Sequence, residues 1–189
     1  MRRRTALIST AAWAFGTPAL PAVGPSARRL AELARDGGAL LIRHASTEAG
    51  VGDPPGLTLG QCHTQRNLSD AGRAEARALG QWFAQHGLQA RAVLSSQWCR
   101  CQDTARIAFG SFEDWPALNS PFAGQGQHDR QMLQLRERLA RLPAGALEVW
   151  VTHQVIMTGL TSAYPAKAEG FLVDRQGRLL ARGMMVPDA

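Results

Sequence analysis

Two arginines and two histidines of this chain are suited to chemistry on phosphate: Arg43, His44, Arg100 and His153. Arginine binds phosphoryl oxygens through paired hydrogen bonds and carries a permanent charge. A neutral imidazole can attack phosphorus and form a phosphohistidine that water then cleaves. In this combination Arg43 and Arg100 would bind phosphoryl oxygens, and His153 would add a hydrogen-bond donor. The set therefore predicts a phosphoryl-transfer site.

Each of these residues lies at or shortly after the end of an apolar segment. The segments span residues 38–42, 92–96 and 147–152, and helical patterns separate them. Short apolar runs of this kind are typical of parallel strands buried on both faces. In an open parallel sheet the ligand crevice lies beyond the carboxyl ends of the strands. Three strand ends would therefore bring the arginines and histidines to one place.

Helices and loops account for most of the remaining chain. Ser69 can cap a helix whose apolar residues recur at helical spacing, and Gly87 would end it. The same reasoning predicts further helices over residues 26–34, 97–109 and 129–142, and one that begins near Gln154. The segments rich in turn residues are predicted to be loops: residues 46–67 and 110–127. The last elements have the pattern of a hairpin at a sheet edge: residues 170–174 and 179–181.

The length and composition indicate one domain, and the first residues have the pattern of an export signal. The chain has 189 residues, 45% of them hydrophobic, which suits a single substantial core. Arg2, Arg3 and Arg4 precede an apolar stretch that is typical of a secretory signal peptide and too short for a stable membrane span. We therefore expect a signal peptide over residues 1–24, a single domain over residues 25–189, and a periplasmic or secreted location.

The positive charge of the chain does not indicate a nucleic-acid partner. Three of the +6 formal charges belong to the arginines of the signal, so 6 minus 3 leaves +3 for the rest. A nucleic-acid interface would show clustered basic residues interleaved with aromatic ones, and no such cluster is present in the sequence. The basic residues are expected to serve an anionic substrate.

Four blocks of the sequence resemble those of the histidine phosphatase superfamily, the group that includes cofactor-dependent phosphoglycerate mutase. Residues 41–47 are similar to its Arg-His-Gly/Ala signature, and residues 95–105 to its second arginine block. Residues 66–72 resemble the start of a family helix, and residues 151–153 resemble the segment with the second histidine. The blocks run in the family's order between residues 38 and 160.

The resemblance implies a phosphoglycerate mutase-like α/β fold, a three-layer α/β/α sandwich with a mostly parallel central sheet. It assigns His44 as the phosphoacceptor and places three residues in the phosphate pocket: Arg43, Arg100 and His153. Arg66 matches an arginine that precedes the helix in some small members, and Thr47 is a further candidate for phosphate contact. Both are predicted to bind substrate. No metal or cofactor is expected.

The resemblance implies a phosphatase that hydrolyses a phosphomonoester, or a similar phosphoryl donor, through a phosphohistidine on His44, and the signal-like N-terminus predicts that it is exported. The expected partner is a small phosphorylated substrate. Two alternatives stay open, a catalytically weak phosphate-binding protein and a cytoplasmic phosphohistidine phosphatase. A mutase is disfavoured, because the chain leaves little room for the long substrate-enclosing insertions of that branch.

The proton donor for the leaving group has no obvious place in this sequence. Many family members carry a glutamate after the second arginine block, where this chain has Ala-Leu-Asn-Ser-Pro at residues 117–121. Acid-phosphatase relatives place an aspartate directly after the second histidine, where this chain has Gln154. Three acidic residues are left as candidates, although each is expected to be solvated or to cap a helix: Glu113, Asp114 and Asp129.

Three cysteines lie in segments that are expected to flank the pocket. In an oxidising compartment, Cys62 can form a disulfide with Cys99 or with Cys101. Three reduced thiols are one alternative, and a zinc site that also uses His63 is another. His128, at the start of a predicted helix, is expected to be structural or solvated.

Overall fold

Six strands form a mixed sheet at the centre of the computed structural model, which describes residues 25–124 and 126–186. The strands are β1 (Gly38–Arg43), β2 (Ala92–Ser95), β3 (Glu113–Asp114), β4 (Leu147–Thr152), β5 (Glu169–Val173) and β6 (Leu179–Met184). Their order across the sheet is β3-β2-β4-β1-β5-β6. The neighbours from β3 to β1 are parallel, whereas the pairs β1–β5 and β5–β6 are antiparallel. The predicted mostly parallel sheet is confirmed.

Helices cover both faces of this sheet. Within the described residues they are α1 (Pro25–Ala34), α2 (Asp70–Gln85), α3 (Cys99–Phe109), α4 (His128–Arg141) and α5 (Gln154–Thr161). One apolar cluster packs α1, α2 and α3 against side chains of the sheet such as Leu40 and Ile42. A second cluster packs α4 and α5 against the opposite face, where Leu41 and Phe171 lie. The predicted three-layer sandwich is thereby confirmed.

The central strands are buried on both faces, as their apolar composition predicted. Every residue of β4 is buried, and so is every residue of β1 except the half-buried Arg43. Successive side chains of a strand point to opposite faces, so each of these strands supplies both apolar clusters. Because β1, β2 and β4 are parallel, their carboxyl ends lie at the same edge of the sheet.

The boundaries of some elements differ from the prediction. β3 lies inside the segment predicted to be a loop, and its two residues pair with β2 at the sheet edge. A strand of two residues is too short to show the periodicity from which strands are predicted. α3 begins at Cys99, because Trp98 before it has an extended backbone. The predicted hairpin is confirmed as β5 and β6.

The start of α2 packs closely against the chain that follows β1. Ser69 caps α2 and accepts a hydrogen bond from the amide of Gly72 at 3.1 Å. Ser46 donates from its amide and its hydroxyl to the carboxylate of Glu75, at 2.7 Å in both cases. These bonds fix the segment after β1 against the helix.

Gly72→Ala is expected to lower the free energy of unfolding by about 1 to 3 kcal/mol, the usual range for overpacking a tight site. A methyl group at Gly72 would overlap the carbonyl oxygen of Ser46, which is backbone and cannot move aside cheaply. Urea unfolding measures the effect. Gly52→Ala is the matched control, because no atom lies within 4 Å of the added methyl group there. Equal stability of the two variants would contradict the close packing of α2.

Among residues 25–124 and 126–186, no helix is long and apolar enough to cross a membrane. The signal peptide predicted over residues 1–24 lies outside the described residues. Its boundary with the domain predicted over residues 25–189 therefore stays a prediction.

Candidate active site

An open pocket of about 520 Å³ lies beyond the carboxyl ends of the parallel strands. Its wall contains the residues that the sequence placed at the strand ends, Arg43, His44, Arg100 and His153, together with Arg66. His44 directly follows β1, Arg100 lies in the first turn of α3, and His153 joins β4 to α5. The parallel sheet thus brings these side chains to one place, as expected.

His44 is buried, and a backbone carbonyl group determines which ring nitrogen carries the proton. Its Nδ1 atom lies 2.9 Å from the carbonyl oxygen of Ala45. A carbonyl oxygen can only accept, so Nδ1 carries the proton and Nε2 keeps its lone pair. Arg100 Nε donates to Nε2 at 3.2 Å. Burial, followed by the charge of Arg100, lowers the pKa of His44 to about 3, so the ring is neutral at pH 7.

Arg100 joins His44 to an acidic side chain that the sequence analysis missed. Its Nη1 and Nη2 atoms donate to Asp53 Oδ1 and Oδ2 at 2.8 and 3.3 Å. The guanidinium group also lies over the indole ring of Trp98, 4.4 Å from the ring centroid. Arg100 is 3% exposed, so these contacts are made away from solvent. Together they hold the guanidinium group in one orientation.

Asp53 and Arg66 both come from the long loop between β1 and α2. Arg66 Nη1 donates to the carbonyl oxygen of Val51 at 3.1 Å, and its Nη2 lies 3.9 Å from Asp53 Oδ2. Arg66 therefore lies where the sequence predicted it, in the pocket wall. Asp53 has neither a strand end nor a helix cap beside it in the sequence. The one feature of the sequence that could have pointed to Asp53 is that it is an acidic residue in a loop expected to shape the pocket.

His153 is held in place by a chain of polar contacts. Its Nε2 atom lies 2.9 Å from Ser96 Oγ, and Ser96 donates to Asn119 Oδ1 at 3.0 Å. Asn119 also accepts from the amide of Gln97 at 2.8 Å. Asn119 belongs to the segment where many family members carry the acidic residue, and here its amide positions Ser96. Burial, followed by the neighbouring His44, lowers the pKa of His153 well below its usual value.

Thr47 does not belong to the pocket wall, so its predicted contact with substrate is not supported by its position. Its backbone pairs with Leu68 in an isolated antiparallel bridge. The side chain is buried, and its hydroxyl has no hydrogen-bond partner among the described residues. Ser46, the residue before Thr47, is bonded to Glu75 of α2.

None of the three acidic residues considered as proton donors lines the pocket. Glu113 and Asp114 form the exposed edge strand β3, and Asp129 is exposed in the first turn of α4. Among the residues that the structure describes, Asp53 is the one carboxylate in the pocket wall. The segments that the sequence suggested therefore contribute no carboxylate to the described pocket wall.

Three exposed apolar or aromatic side chains also line the pocket: Phe122, Val155 and Tyr164. His128 lines the pocket as well, although it was expected to be structural or solvated. The ring of His128 lies against Gly159, so a side chain at that position would require the imidazole to shift.

A disulfide between Cys62 and Cys99 ties the loop that carries Asp53 and Arg66 to the start of α3. It is one of the two pairings that the sequence allowed. Cys101 is a buried free thiol, and its sulfur lies 3.4 Å from His153 Nε2. Because the disulfide uses two of the proposed zinc ligands, the alternative of a zinc site at these cysteines is wrong.

Replacing Cys62 and Cys99 by serine is expected to lower the free energy of unfolding by about 3 kcal/mol. The reason is that the unfolded chain loses a cross-link between residues 37 positions apart. Urea unfolding with and without reductant measures the effect. The reductant should destabilise the wild-type protein and leave the double variant unchanged. Three reactive thiols in the denatured, unreduced wild-type protein would contradict the pairing.

The buried neutral state of His44 predicts how stability depends on pH. As pH falls below 6.5, the unfolded chain binds a proton at His44 that the folded protein excludes until about pH 3. Within that window the stability contributed by the neutral ring is lost as pH falls, by about 1.4 kcal/mol for each pH unit. Unfolding free energies of wild type and His44→Gln should therefore converge or cross as pH falls from 6.5 to 5. Parallel pH profiles would contradict the prediction.

Comparisons with known proteins agree with this fold. The model of the histidine phosphatase superfamily (branch 1) matches residues 39–121, which include Arg43, His44, Arg66 and Arg100. The search of curated proteins found no match to this chain. Solved structures, in contrast, share the fold over nearly their whole length.

Three of these structures illustrate the similarity. The protein histidine phosphatase SixA complexed with tungstate is 16% identical, with a TM-score of 0.55, and the match covers 78% of this chain and 96% of that one. A putative alpha-ribazole-5'-P phosphatase from Escherichia coli is 18% identical, with a TM-score of 0.59 and coverage of 81% and 100%. A phosphoglycerate mutase from Thermus thermophilus is 21% identical, with a TM-score of 0.51 and coverage of 77% and 97%. The family model matches the part of the chain that carries Arg43, His44, Arg66 and Arg100, and the solved structures share the fold, so both support the histidine phosphatase superfamily.

Proposed function

We propose that this protein is a phosphatase that hydrolyses a small phosphomonoester through a phosphohistidine on His44. The observation that carries the proposal is the state of His44, a neutral imidazole whose Nε2 lone pair lies beside Arg100 in a pocket. Similarity to the superfamily supports a phosphatase-type enzyme in general. The relatives named as phosphatases, SixA and the putative alpha-ribazole-5'-P phosphatase, support hydrolysis as the reaction.

The charge of the pocket fits a phosphate dianion. Its three arginine side chains and Asp53 sum to a net charge of +2. Two of the arginines already have backbone partners that orient them, since Arg43 donates to the carbonyl oxygen of Pro165 at 3.0 Å and Arg66 to that of Val51. Guanidinium groups held in this way stabilise charge on phosphoryl oxygens without having to reorganise. The same pocket would therefore bind the substrate and stabilise its transition state.

The reaction proceeds in two displacements. In the first, His44 Nε2 attacks phosphorus, the bond to the leaving oxygen breaks, and the leaving oxygen is protonated. In the second, water attacks the phosphohistidine, the bond between nitrogen and phosphorus breaks, and inorganic phosphate leaves. Nδ1 keeps its proton throughout because it donates to Ala45, so the ring returns to its starting tautomer.

A panel of phosphate compounds tests the proposal. The protein is assayed with aryl, alkyl, sugar and nucleotide phosphates and with a phosphohistidine peptide, and release of inorganic phosphate is measured. We expect turnover, competitive inhibition by tungstate, and a label on His44 that survives alkali and is lost in acid. Binding of phosphate without turnover or label would overturn the proposal. A preference for the phosphohistidine peptide over every ester would identify a protein phosphatase instead.

We also propose that the protein is exported to the periplasm or secreted. The basic residues 2–4 and the apolar stretch after them support export, and so does the disulfide, because disulfides persist in oxidising compartments. The test is a fusion of residues 1–30 to a reporter that is active only outside the cytoplasm. A matched fusion with the three arginines replaced by glutamate should give no signal. Retention of the unchanged, uncleaved fusion in the cytoplasm would contradict export.

A further inference from the structure

The carboxylate of Asp53 accepts hydrogen bonds from the Arg100 nitrogens that are expected to bind substrate phosphate. Arg100 uses Nε for His44, so Nη1 and Nη2 remain for other partners, and both donate to Asp53. The Asp53 side chain is 10% exposed and is held between Arg100 and Arg66. A phosphoryl group in line with His44 Nε2 must approach the same guanidinium edge. Asp53 and the substrate phosphate therefore compete for Arg100.

We propose that Asp53 is the proton donor of this reaction, and that it becomes protonated when substrate phosphate takes its place on Arg100. This inference rests on the proposed function of the pocket and names the residue that protonates the leaving group.

The charges around Asp53 explain the change of state. In the free protein two guanidinium groups face the carboxylate, that of Arg100 at 2.8 Å and that of Arg66 at 3.9 Å. A bound phosphate dianion would pair with these two guanidinium groups and place negative charge beside the carboxylate. Both changes favour the protonated carboxyl, because like charges at short distance disfavour ionisation. Binding of the substrate would thus prepare an acid beside the bound phosphoryl group.

The proton balance closes over the two displacements. In the first, the O–H bond of Asp53 breaks and its proton goes to the leaving oxygen, while His44 Nε2 forms its bond to phosphorus. In the second, the Asp53 carboxylate takes a proton from the water that attacks the phosphohistidine. Asp53 is then protonated again and Nε2 regains its lone pair. The net reaction consumes one water for each ester cleaved.

The loop that carries Asp53 is fastened on both sides of this residue. Val51 accepts the hydrogen bond from Arg66, and Pro54 and Pro55 follow Asp53 directly. Further along, Cys62 is bonded to Cys99, the residue next to Arg100. A proton donor must be held within hydrogen-bond reach of the leaving group, and these attachments limit how far the carboxyl group can move.

The test uses Asp53→Asn and a series of aryl phosphates with leaving groups of graded acidity, from nitrophenyl to phenyl phosphate. A nitrophenolate departs without a proton, whereas a phenolate benefits from one. General acid catalysis is typically worth about a hundredfold to ten-thousandfold. We therefore expect kcat/KM of Asp53→Asn to fall by about that factor for phenyl phosphate and by far less for nitrophenyl phosphate. The plot of log kcat/KM against leaving-group pKa becomes steeper in the variant.

A second measurement follows the phosphoenzyme. With nitrophenyl phosphate, Asp53→Asn should form the phosphohistidine at a nearly normal rate and hydrolyse it slowly, because the base for the second step is missing. A burst of one nitrophenolate for each active site and an accumulated label on His44 are the expected signals. Asp53→Glu, which keeps a carboxyl group, should restore the shallow dependence on the leaving group even if its rates are lower. Asp129→Asn is the matched control on the surface and should leave both measurements unchanged.

An equal loss for every leaving group, or unchanged activity with tighter binding of inorganic phosphate, would overturn the proposal. Asp53 would then only occupy Arg100 in the free protein. Failure of the proposed function looks different, because the wild-type protein itself would show neither turnover nor a label on His44. Urea unfolding of Asp53→Asn and Asp53→Glu establishes that both are folded during the assays.

Discussion

His44→Gln is expected to abolish turnover, with a loss in kcat on the order of a millionfold, as for removal of the nucleophile in other covalent enzymes. Glutamine keeps a polar side chain of similar reach but has no nitrogen lone pair that can attack phosphorus. The phosphate pocket is otherwise complete, since Arg43, Arg66 and Arg100 remain. The variant should therefore still bind inorganic phosphate or tungstate, and it should carry no label after incubation with substrate.

The measurement combines steady-state assays with mapping of the acid-labile label on peptides. His86→Gln is the matched control, because His86 caps the far end of α2 and its Nδ1 lies 2.7 Å from the carbonyl oxygen of Trp82. It should keep full activity. Substantial turnover by His44→Gln would mean that another residue accepts the phosphoryl group, and the proposed mechanism would then be wrong.

Arg100→Ala is expected to lower kcat by about a hundredfold to a thousandfold, the usual loss when one prearranged donor to a developing anion is removed. The loss has two sources in this structure. Arg100 is the donor nearest to the attacking nitrogen of His44, and it holds Asp53 in the pocket. Alanine removes both contacts and leaves the buried carboxylate without its main cationic partner.

Arg100→Lys tests whether the positive charge of Arg100 is sufficient or whether the planar guanidinium group is also required. Lysine keeps the positive charge, but its ammonium group cannot reach His44 and both oxygens of Asp53 with the planar fork of arginine. We expect its kcat to lie between those of wild type and Arg100→Ala. Because the contact with Trp98 is also lost, urea unfolding must show that both variants are folded at the assay temperature. Activity of Arg100→Ala within tenfold of wild type would contradict the assignment.

The fold and the residues at the strand ends were predictable because short-range patterns in the sequence indicate them. Apolar runs at β1, β2 and β4 indicate buried parallel strands, and parallel strands must end at one edge of a sheet. That topology alone brought Arg43, His44 and His153 together. The position of Arg66 followed from the resemblance to the family, and the structure places it in the pocket wall.

Residues that reach the site from loops were not predictable in this way. Asp53 and His128 line the pocket because distant segments fold over it, and no periodic pattern announces such contacts. Thr47 shows the converse. It lies only a few residues from His44 in the sequence, yet its backbone pairs with Leu68 and it is not part of the pocket wall.

The cysteine pairing separates what the sequence determines from what only the tertiary structure decides. Sequence alone determined that Cys62 could meet one of two thiols near the second arginine block. Cys99 and Cys101 lie two positions apart in α3, so their side chains point in nearly opposite directions around the helix. Only the packing of α3 on the sheet decides which of them faces the loop. That packing turns Cys101 toward β4, where its sulfur lies 3.6 Å from the carbonyl oxygen of Thr152, and leaves Cys99 to bond with Cys62.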